Sequence, residues 1–187
     1  MKSYADSILR EQGDTMSKDE VRTLAKARRR ALSISERADA NAIITDKVVE
    51  LIGREKRVLA YYSYNNEVDT KGMIRRLKDN GNEVYLPRVH GDELEVVEYK
   101  DEVMTDKLYE PDGQAVDITL DVVIVPLVAY DRNKYRLGYG KGYYDRFLST
   151  NKARKIGIAY KTQEVEDVYH ETHDIKLDLI VNECEIL

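Results

Sequence analysis

The sequence has one cysteine, Cys184, no tryptophan and a single phenylalanine among its 187 residues. One cysteine cannot form an intramolecular disulfide, and it cannot by itself supply a cysteine-rich zinc site. We therefore expect a reducing compartment, the cytoplasm, because the first residues also lack the apolar core of a secretory signal. Tyrosine is abundant, with 14 residues, so buried rings carry hydroxyl groups that need partners.

Long apolar runs are also missing, and no stretch of about 18 to 20 apolar residues could span a bilayer. Charged residues make up 35% of the chain and mean hydropathy is −0.57, which is typical of a water-soluble globular protein. Lys and Arg number 30 against 35 Asp and Glu, a net charge of −5. This balance disfavours a protein that coats nucleic acid non-specifically, so any anion site must be local.

The hydrophobic pattern predicts a single α/β domain, preceded by a mobile leader over residues 1–16 and occupying residues 17–187. Ser17 with Glu20 and Ser33 with Glu36 form capping boxes, which predict one helix over Lys18–Ala31 and a second that stops near Gly53. Further helices are expected over 70–80 and 142–148. β-prone runs follow this order: 57–62, 83–87, 94–99, 121–126, 155–159 and 178–187.

The order strand, helix, strand predicts right-handed βαβ crossovers and a parallel sheet. Residues 94–99 should add an antiparallel strand through the turn at 90–93. Residues 121–126 are almost entirely apolar, the pattern of a central strand buried on both faces. We predict a single-domain, three-layer αβα sandwich with a mostly parallel central sheet.

The most informative segment is the run RLGYGKGYYD from Arg136 to Asp145. Glycines at alternate positions expose backbone N–H groups and let an oxyanion approach, and the following helix adds the positive end of its dipole. Arg136 and Lys141, in what we expect to be a polar loop, add charge for phosphoryl oxygens. The alternative is a flexible glycine turn. The spacing matches neither a Walker A loop nor a dinucleotide fingerprint.

Cationic side chains form a stripe along the first helix: Lys18, Arg22, Lys26 and Arg29. Lys18 and Arg22 are one helical turn apart, so both can reach one polyphosphate. A solvated basic edge is the alternative interpretation of such a stripe.

The segment from Val125 to Arg146 closely resembles the signature of 5-formyltetrahydrofolate cyclo-ligases, also called methenyltetrahydrofolate synthetases. Three further segments resemble motifs of that family in order and spacing: K-x-x-x-R at 18–22, E-[VI]-x-T at 67–70 and H-D-x-x-x-D at 173–178. The chain departs from the family at Leu127 and at Lys134-Tyr135, where family members usually carry glycine.

The resemblance implies an α/β enzyme that converts 5-formyltetrahydrofolate with Mg-ATP into 5,10-methenyltetrahydrofolate, ADP and phosphate. It implies catalytic roles for Arg136 and Lys141 and magnesium ligation by Asp145 and Asp174. The implied ATP-binding residues are Lys18, Arg22, Arg136, Leu137, Gly138, Tyr139, Gly140, Lys141, Gly142, Tyr143 and Tyr144. The implied folate-binding residues are Tyr62, Glu67, Tyr139, Gly140, Lys141, Gly142 and Tyr143.

These roles agree with the residue types. Mg²⁺ takes one or two carboxylates together with phosphate oxygens, and Glu67 can accept hydrogen bonds from pterin N–H groups. Without the motif, the commoner interpretation of Asp145 is a helix-surface charge, and that of Glu67 is a loop acid. His170 and His173 form H-x-x-H, but no further zinc ligand stands at a recognised spacing.

Two other functions remain open from the residues: a folate- or nucleotide-binding protein without turnover, and an RNA-associated module using residues 26–30, which the net acidity disfavours. As partners we expect folate and ATP, with no nucleic acid, no membrane and a monomeric chain.

Overall fold

The computed structural model describes residues 16–100 and 111–187. The predicted leader, apart from Met16, lies outside the described residues, as do residues 101–110 of the segment that follows the third predicted strand. Within the described part of the chain, none of the helices is both long and apolar enough to cross a membrane.

The first two helices begin where the capping boxes predict. Helix α1 spans Lys18–Ala31 and helix α2 spans Ile34–Ile52. In α1 the Ser17 hydroxyl accepts a hydrogen bond from the N–H of Glu20, and the Glu20 carboxylate accepts one from the N–H of Ser17. Ser33 and Glu36 repeat this arrangement in α2, which ends at Gly53 with φ +74°. Reciprocal caps satisfy N–H groups that have no partner inside the helix.

The remaining elements follow the predicted order with two additions, a short hairpin and a 3₁₀ turn. They are β1 (Arg57–Leu59), α3 (Thr70–Asp79), β2 (Glu83–His90), β3 (Glu93–Glu98), β4 (Val122–Val125), β5 (Ala129–Tyr130), β6 (Arg136–Leu137), α4 (Tyr143–Thr150), β7 (Arg154–Ile158), a 3₁₀ turn (Lys161–Gln163) and β8 (Leu179–Val181).

Six strands form the central sheet in the order β3-β2-β1-β4-β7-β8. All neighbouring pairs are parallel except β2 and β3, which pair in antiparallel fashion as expected. Strand β4 lies between β1 and β7 and is buried along its whole length. The predicted α/β fold with a mostly parallel sheet is confirmed.

Side chains of β4 alternate between two hydrophobic cores, one on each face of the sheet. Val122 and Ile124 pack with Ile44 of α2 and Met73 of α3. Val123 and Val125 pack on the opposite side with a cluster that contains Leu148 of α4. Helices on both faces cover the parallel strands, which explains why residues 122–125 are apolar without alternation.

The hairpin of β5 and β6 lies between β4 and α4 and was not predicted. Two-residue strands are too short to give a periodic pattern in the sequence. Helix α1 buries Val21 and Ala25 against this hairpin, in a third cluster with Ala129 and Leu137. The apolar side of α1 therefore packs on the hairpin, whereas that of α2 packs on the central sheet.

The last predicted strand is shorter than expected. Strand β8 ends at Val181, and the Asn182 side-chain oxygen then accepts hydrogen bonds from the N–H groups of Cys184 and Glu185. This turn reverses the chain, so that Ile186 bridges back to Val181 in antiparallel orientation. A polar turn residue interrupts what the apolar content alone predicted as one strand.

Two of the positions at which this chain lacks the family's glycine have different surroundings in the structure. Lys134 adopts φ +69°, a left-handed conformation that glycine adopts without strain. Leu127 is 3% exposed and packs in the core that contains Leu148.

Candidate active site

One cavity of about 690 Å³ lies at the carboxyl-terminal side of β1 and β4, where ligands of open α/β sheets bind. Its walls come from α1, the segment after β1, the β2–β3 hairpin, the glycine loop with the first turn of α4, and residues 173–174. All predicted site residues line it: Lys18, Arg22, Tyr62, Glu67, Arg136, Leu137, Gly138, Tyr139, Gly140, Lys141, Gly142, Tyr143, Tyr144, Asp145 and Asp174.

The glycine loop presents its backbone to this cavity. Gly140 has φ +97° and Gly142 has φ +69°, a region that L-residues with a Cβ adopt only with strain. A Cβ at Gly138 would meet no heavy atom within 4 Å, so the space beside it is open. Among the described residues, no acceptor is placed against the N–H groups of residues 138–142. The loop can therefore donate several hydrogen bonds to an anion.

Arg136 is buried, which corrects the expectation that it stands in a polar loop. It belongs to β6 and is 5% exposed, because the unpredicted hairpin carries it under the loop. Its Nη2 lies 3.0 Å from Asp145 Oδ1, and its Nη1 donates to the carbonyl oxygen of Ile175 at 3.1 Å. Its Nε is buried with no partner in the described chain, so the guanidinium keeps an unused buried donor for a ligand.

The other cations are more accessible. Lys141 is exposed, and within the described residues no ion pair involves it. The Nε of Arg22 donates to the carbonyl oxygen of Gly138 at 2.9 Å, which holds the glycine loop against α1. Lys18 lies 3.0 Å from both Glu171 and Asp174. Its partial burial opposes protonation, but the two carboxylates prevail and raise its pKa.

The two predicted metal ligands, Asp145 and Asp174, are far apart in the sequence, but their segments are in contact in the fold. The N–H of Ile175, the residue after Asp174, donates to Asp145 Oδ1 at 3.2 Å. Burial raises the pKa of Asp174, but the N–H of Glu171 and the ammonium of Lys18 outweigh it, so the net pKa is lowered. Asp174 therefore remains a carboxylate at neutral pH, the form that a divalent cation requires.

A ring of tyrosines surrounds Glu67. One Glu67 carboxylate oxygen accepts a short hydrogen bond from the Tyr139 hydroxyl, and the other accepts the N–H of Tyr64 at 2.8 Å. Burial, together with the negative charge of Glu67, raises the pKa of Tyr139 to about 12. Burial likewise raises the pKa of Tyr61 and of Tyr144. The Tyr144 hydroxyl is buried without a partner in the described residues, so it is free to hydrogen-bond a ligand.

The cavity also contains residues that the sequence did not single out: Pro87, Val89, Leu94 and Ser149. Three of them, Pro87, Val89 and Leu94, belong to the β2–β3 hairpin and give one wall an apolar surface. Val89 is 40% exposed, a property that only the structure shows, so the sequence carried no signal for this wall.

The two histidines of the H-x-x-H pattern are used differently. His170 stacks on Tyr135 with ring centroids 3.7 Å apart, whereas His173 lines the cavity and lies 3.8 Å from Asp174. His170 also lies in a group with Asp131 and Asp167 that has metal-ligand spacing. Asp131 is buried there, and its two carboxylate oxygens accept the N–H groups of Tyr135 and Val168.

The open α/β sheet, the glycine loop and the surrounding cations are features of an enzyme that binds an anionic substrate such as a nucleotide. A sequence profile of the 5-formyltetrahydrofolate cyclo-ligase family matches residues 14–183. The chain belongs to this family, which confirms the resemblance and the prediction of a ligase enzyme.

Relatives and solved structures support the same assignment. A 5-formyltetrahydrofolate cyclo-ligase of Mycoplasma pneumoniae is 33% identical over 174 residues, covering 90% of this chain and 99% of the relative. The structure of a 5,10-methenyltetrahydrofolate synthetase from Mycoplasma pneumoniae superposes with a TM-score of 0.74 at 30% identity, over 90% of this chain and 99% of that one. That of Aquifex aeolicus 5,10-methenyltetrahydrofolate synthetase gives 0.79 at 30% identity, over 91% and 92%.

Proposed function

We propose that the protein converts 5-formyltetrahydrofolate and Mg-ATP into 5,10-methenyltetrahydrofolate, ADP and phosphate. The observation that carries this proposal is the gathering of α1, the segment after β1, the glycine loop and residues 173–174 around one cavity. These segments are far apart in sequence, and each contributes the residues that the family resemblance implies. Family membership gives the reaction class, and the side chains give the roles.

The nucleotide phosphates fit the glycine loop. The N–H groups of residues 138–142 and the buried, unpartnered Nε of Arg136 are donors without acceptors among the described residues. Lys141 and Arg22 add positive charge on the two sides of the loop. Gly138 leaves open space where a Cβ would stand, so a phosphoryl group can approach the backbone.

Magnesium fits the pair Asp145 and Asp174, which both line the cavity beside the loop. Asp145 Oδ1 is occupied by Arg136 and Ile175, whereas no described residue hydrogen-bonds to its Oδ2. A bound Mg²⁺ would supply charge neutralisation for phosphate oxygens. The two carboxylates would hold it, and Lys18 would exchange part of its contact with Asp174 for contact with the nucleotide.

The folate ring fits the tyrosine-lined part of the cavity around Glu67. The Glu67 carboxylate can accept pterin N–H groups when the Tyr139 hydroxyl gives up its hydrogen bond. Tyr61, Tyr62, Tyr143 and Tyr144 offer ring surface, and the Tyr144 hydroxyl remains a free donor.

The chemistry needs positioning rather than a side-chain nucleophile. The formyl oxygen of the substrate attacks the γ-phosphate of ATP, which releases ADP and leaves a phosphorylated iminium. The neighbouring N10 then attacks the iminium carbon and loses its proton to solvent, and cleavage of the carbon–oxygen bond releases phosphate and gives the methenyl product. Arg136, Lys141 and the loop N–H groups stabilise the charge on the transferring phosphoryl group.

The alternative is a folate- or nucleotide-binding protein of the same fold without turnover. The near-ultraviolet absorbance of methenyltetrahydrofolate separates the two, because it rises only when the ring closes. We expect it to rise when purified protein, 5-formyltetrahydrofolate and Mg-ATP are mixed, and not when ATP is omitted. Binding of both ligands by calorimetry without any rise would establish the alternative.

Three expectations from the sequence also belong to the proposal: the cytoplasm as location, a monomeric state, and a single domain over residues 17–187. Exposed Cys184, a free thiol, suits a reducing compartment.

A further inference from the structure

The cationic stripe of α1 extends beyond the active site. Lys18 and Arg22 line the main cavity, but Lys26 and Arg29, one and two turns further on, do not. Together with Arg30 they line a separate cavity of about 570 Å³. The proposed reaction uses no residue of this second group except Glu67 and Tyr139, which both cavities share.

The second cavity is positively charged. Its lining contains three cations, Lys26, Arg29 and Arg30, and one carboxylate, Glu67. Both oxygens of Glu67 already accept hydrogen bonds, from Tyr139 and from the N–H of Tyr64. The opposite wall is the polar loop with Asn65 and Asn66. The excess positive charge is therefore not neutralised within the lining.

Arg29 gives an independent sign that the cavity takes a ligand. It is 7% exposed, and its Nε is buried without a partner in the described chain. A buried guanidinium with an unused donor is costly unless something else supplies the acceptor. Lys26 lies over the Tyr139 ring at 5.3 Å, and no described residue accepts a hydrogen bond from its ammonium.

We propose that this cavity is an oxyanion-binding subsite that adjoins the active site across the Glu67–Tyr139 hydrogen bond. Its ligand carries a carboxylate or phosphate group, which Arg29 and Arg30 would bind with their planar forks and Lys26 as a point charge. The oxyanion has two possible sources. It is either the glutamate carboxylates of the folate in the main cavity, a case that rests on the proposed function, or a separate small anion such as phosphate.

The direct test is an amide NMR titration of the full-length protein with inorganic phosphate and, separately, with p-aminobenzoyl-glutamate. At least one probe should shift the signals of Arg30, Asn65 and Asn66 with a dissociation constant on the order of 1 mM. The double variant Lys26→Ala with Arg30→Ala should weaken that binding by about tenfold or more. Arg54→Ala is the matched control, since Arg54 is an exposed cation just before β1, at the amino-terminal end of the parallel strands and outside the second cavity.

A kinetic arm distinguishes the two sources. KM is measured for 5-formyltetrahydrofolate and for the analogue that lacks glutamate, 5-formyltetrahydropteroate. If the double variant has a higher KM for 5-formyltetrahydrofolate but not for 5-formyltetrahydropteroate, the subsite binds the substrate's glutamate carboxylates. Unchanged KM values with weakened phosphate binding assign it to a separate anion.

The proposal is overturned if neither probe shifts those three amides, or if the double variant binds the probes as tightly as the wild type. Failure of the proposed reaction is a different result. The wild type would then show no turnover, while the titration would still report on the subsite.

Discussion

Arg136 Nη2 lies 3.0 Å from Asp145 Oδ1, so the last strand of the short hairpin is joined to the first turn of α4 across the glycine loop. The side chain of Arg136 is 3% exposed and that of Asp145 is 26% exposed. The same guanidinium donates to the Ile175 carbonyl oxygen, so this one residue joins three segments of the active site. A residue expected to bind only phosphate also has a structural role.

Lys141→Ala and Arg136→Ala should both weaken nucleotide binding, but only Arg136→Ala should also lower the stability of the fold. Each removes a cation near the phosphates, which we expect to cost about 1.5 to 3 kcal/mol of nucleotide or transition-state binding. Only Arg136→Ala also breaks a partly buried ion pair, at a cost of roughly 1 to 3 kcal/mol in the free energy of unfolding. Calorimetric ATP binding and urea unfolding of the two variants measure both quantities. Equal stability losses would contradict the structural role.

Gly140→Val should abolish nucleotide binding while leaving most of the fold intact. At φ +97° a β-branched residue is strained by roughly 1 to 3 kcal/mol, and its side chain would point toward the Arg22 guanidinium, 3.6 Å from the Cβ position. Gly81→Val is the control, since Gly81 also has a positive φ, +84°, but lies outside the cavity, so the same backbone strain should leave ATP affinity unchanged. Normal ATP affinity in Gly140→Val would show that the loop serves only as a turn.

Asp145→Asn should lower activity steeply, and excess Mg²⁺ should restore part of it. The amide keeps the size of the side chain but removes a charge that the cation needs. Rate is titrated against Mg²⁺ concentration, with Asp79→Asn as the control at an exposed helix position. If Asp145 were only a helix N-terminal charge, it would contribute about 0.3 to 1 kcal/mol to stability and nothing to catalysis. The curve of rate against Mg²⁺ concentration for Asp145→Asn would then superimpose on that of the wild type.

Lys134→Gly should leave activity unchanged and raise the free energy of unfolding by up to about 1 kcal/mol. Lys134 occupies φ +69°, and glycine removes the Cβ strain there, while losing the contact of the Lys134 ammonium with the Asp178 carbonyl oxygen. Lys152→Gly, at an exposed position without a positive φ, should instead lower stability by a few tenths of a kcal/mol. A loss of stability in both variants would show that the strain at Lys134 is negligible.

Glu185 should make stability depend on acid pH. Its contacts with Arg132 and Lys161 lower its pKa from 4.5 to about 2. A lowered pKa in the folded state means that the stabilisation is present above pH 4.5 and is lost as pH falls toward 2. Glu185→Gln should therefore be less stable than the wild type at pH 7, and the two should converge near pH 2. A difference that persists unchanged at that pH would contradict the ion pairing.

Much of the local structure could be predicted because its causes are local. The capping boxes at Ser17 and Ser33 determine where α1 and α2 begin. The unbroken apolar run at 122–125 predicts a strand buried on both faces. The glycine loop could be predicted because it is one continuous segment, from Arg136 to Asp145. Its hydrogen-bond donors and its glycine conformations come from consecutive residues.

The sequence by itself determined the order of the helices and of the central strands, the fold class and most of the residues that line the main cavity. Only the tertiary structure decided that Arg136 is buried, that Ile175 brings Asp174 beside Asp145, and that Lys26, Arg29 and Arg30 enclose a second cavity. The physical reason is that helical spacing and capping act over a few residues, whereas burial and charge pairing depend on segments that meet only when the sheet has formed. The two-residue strands β5 and β6 show this most directly, because their position depends on α1 packing against them.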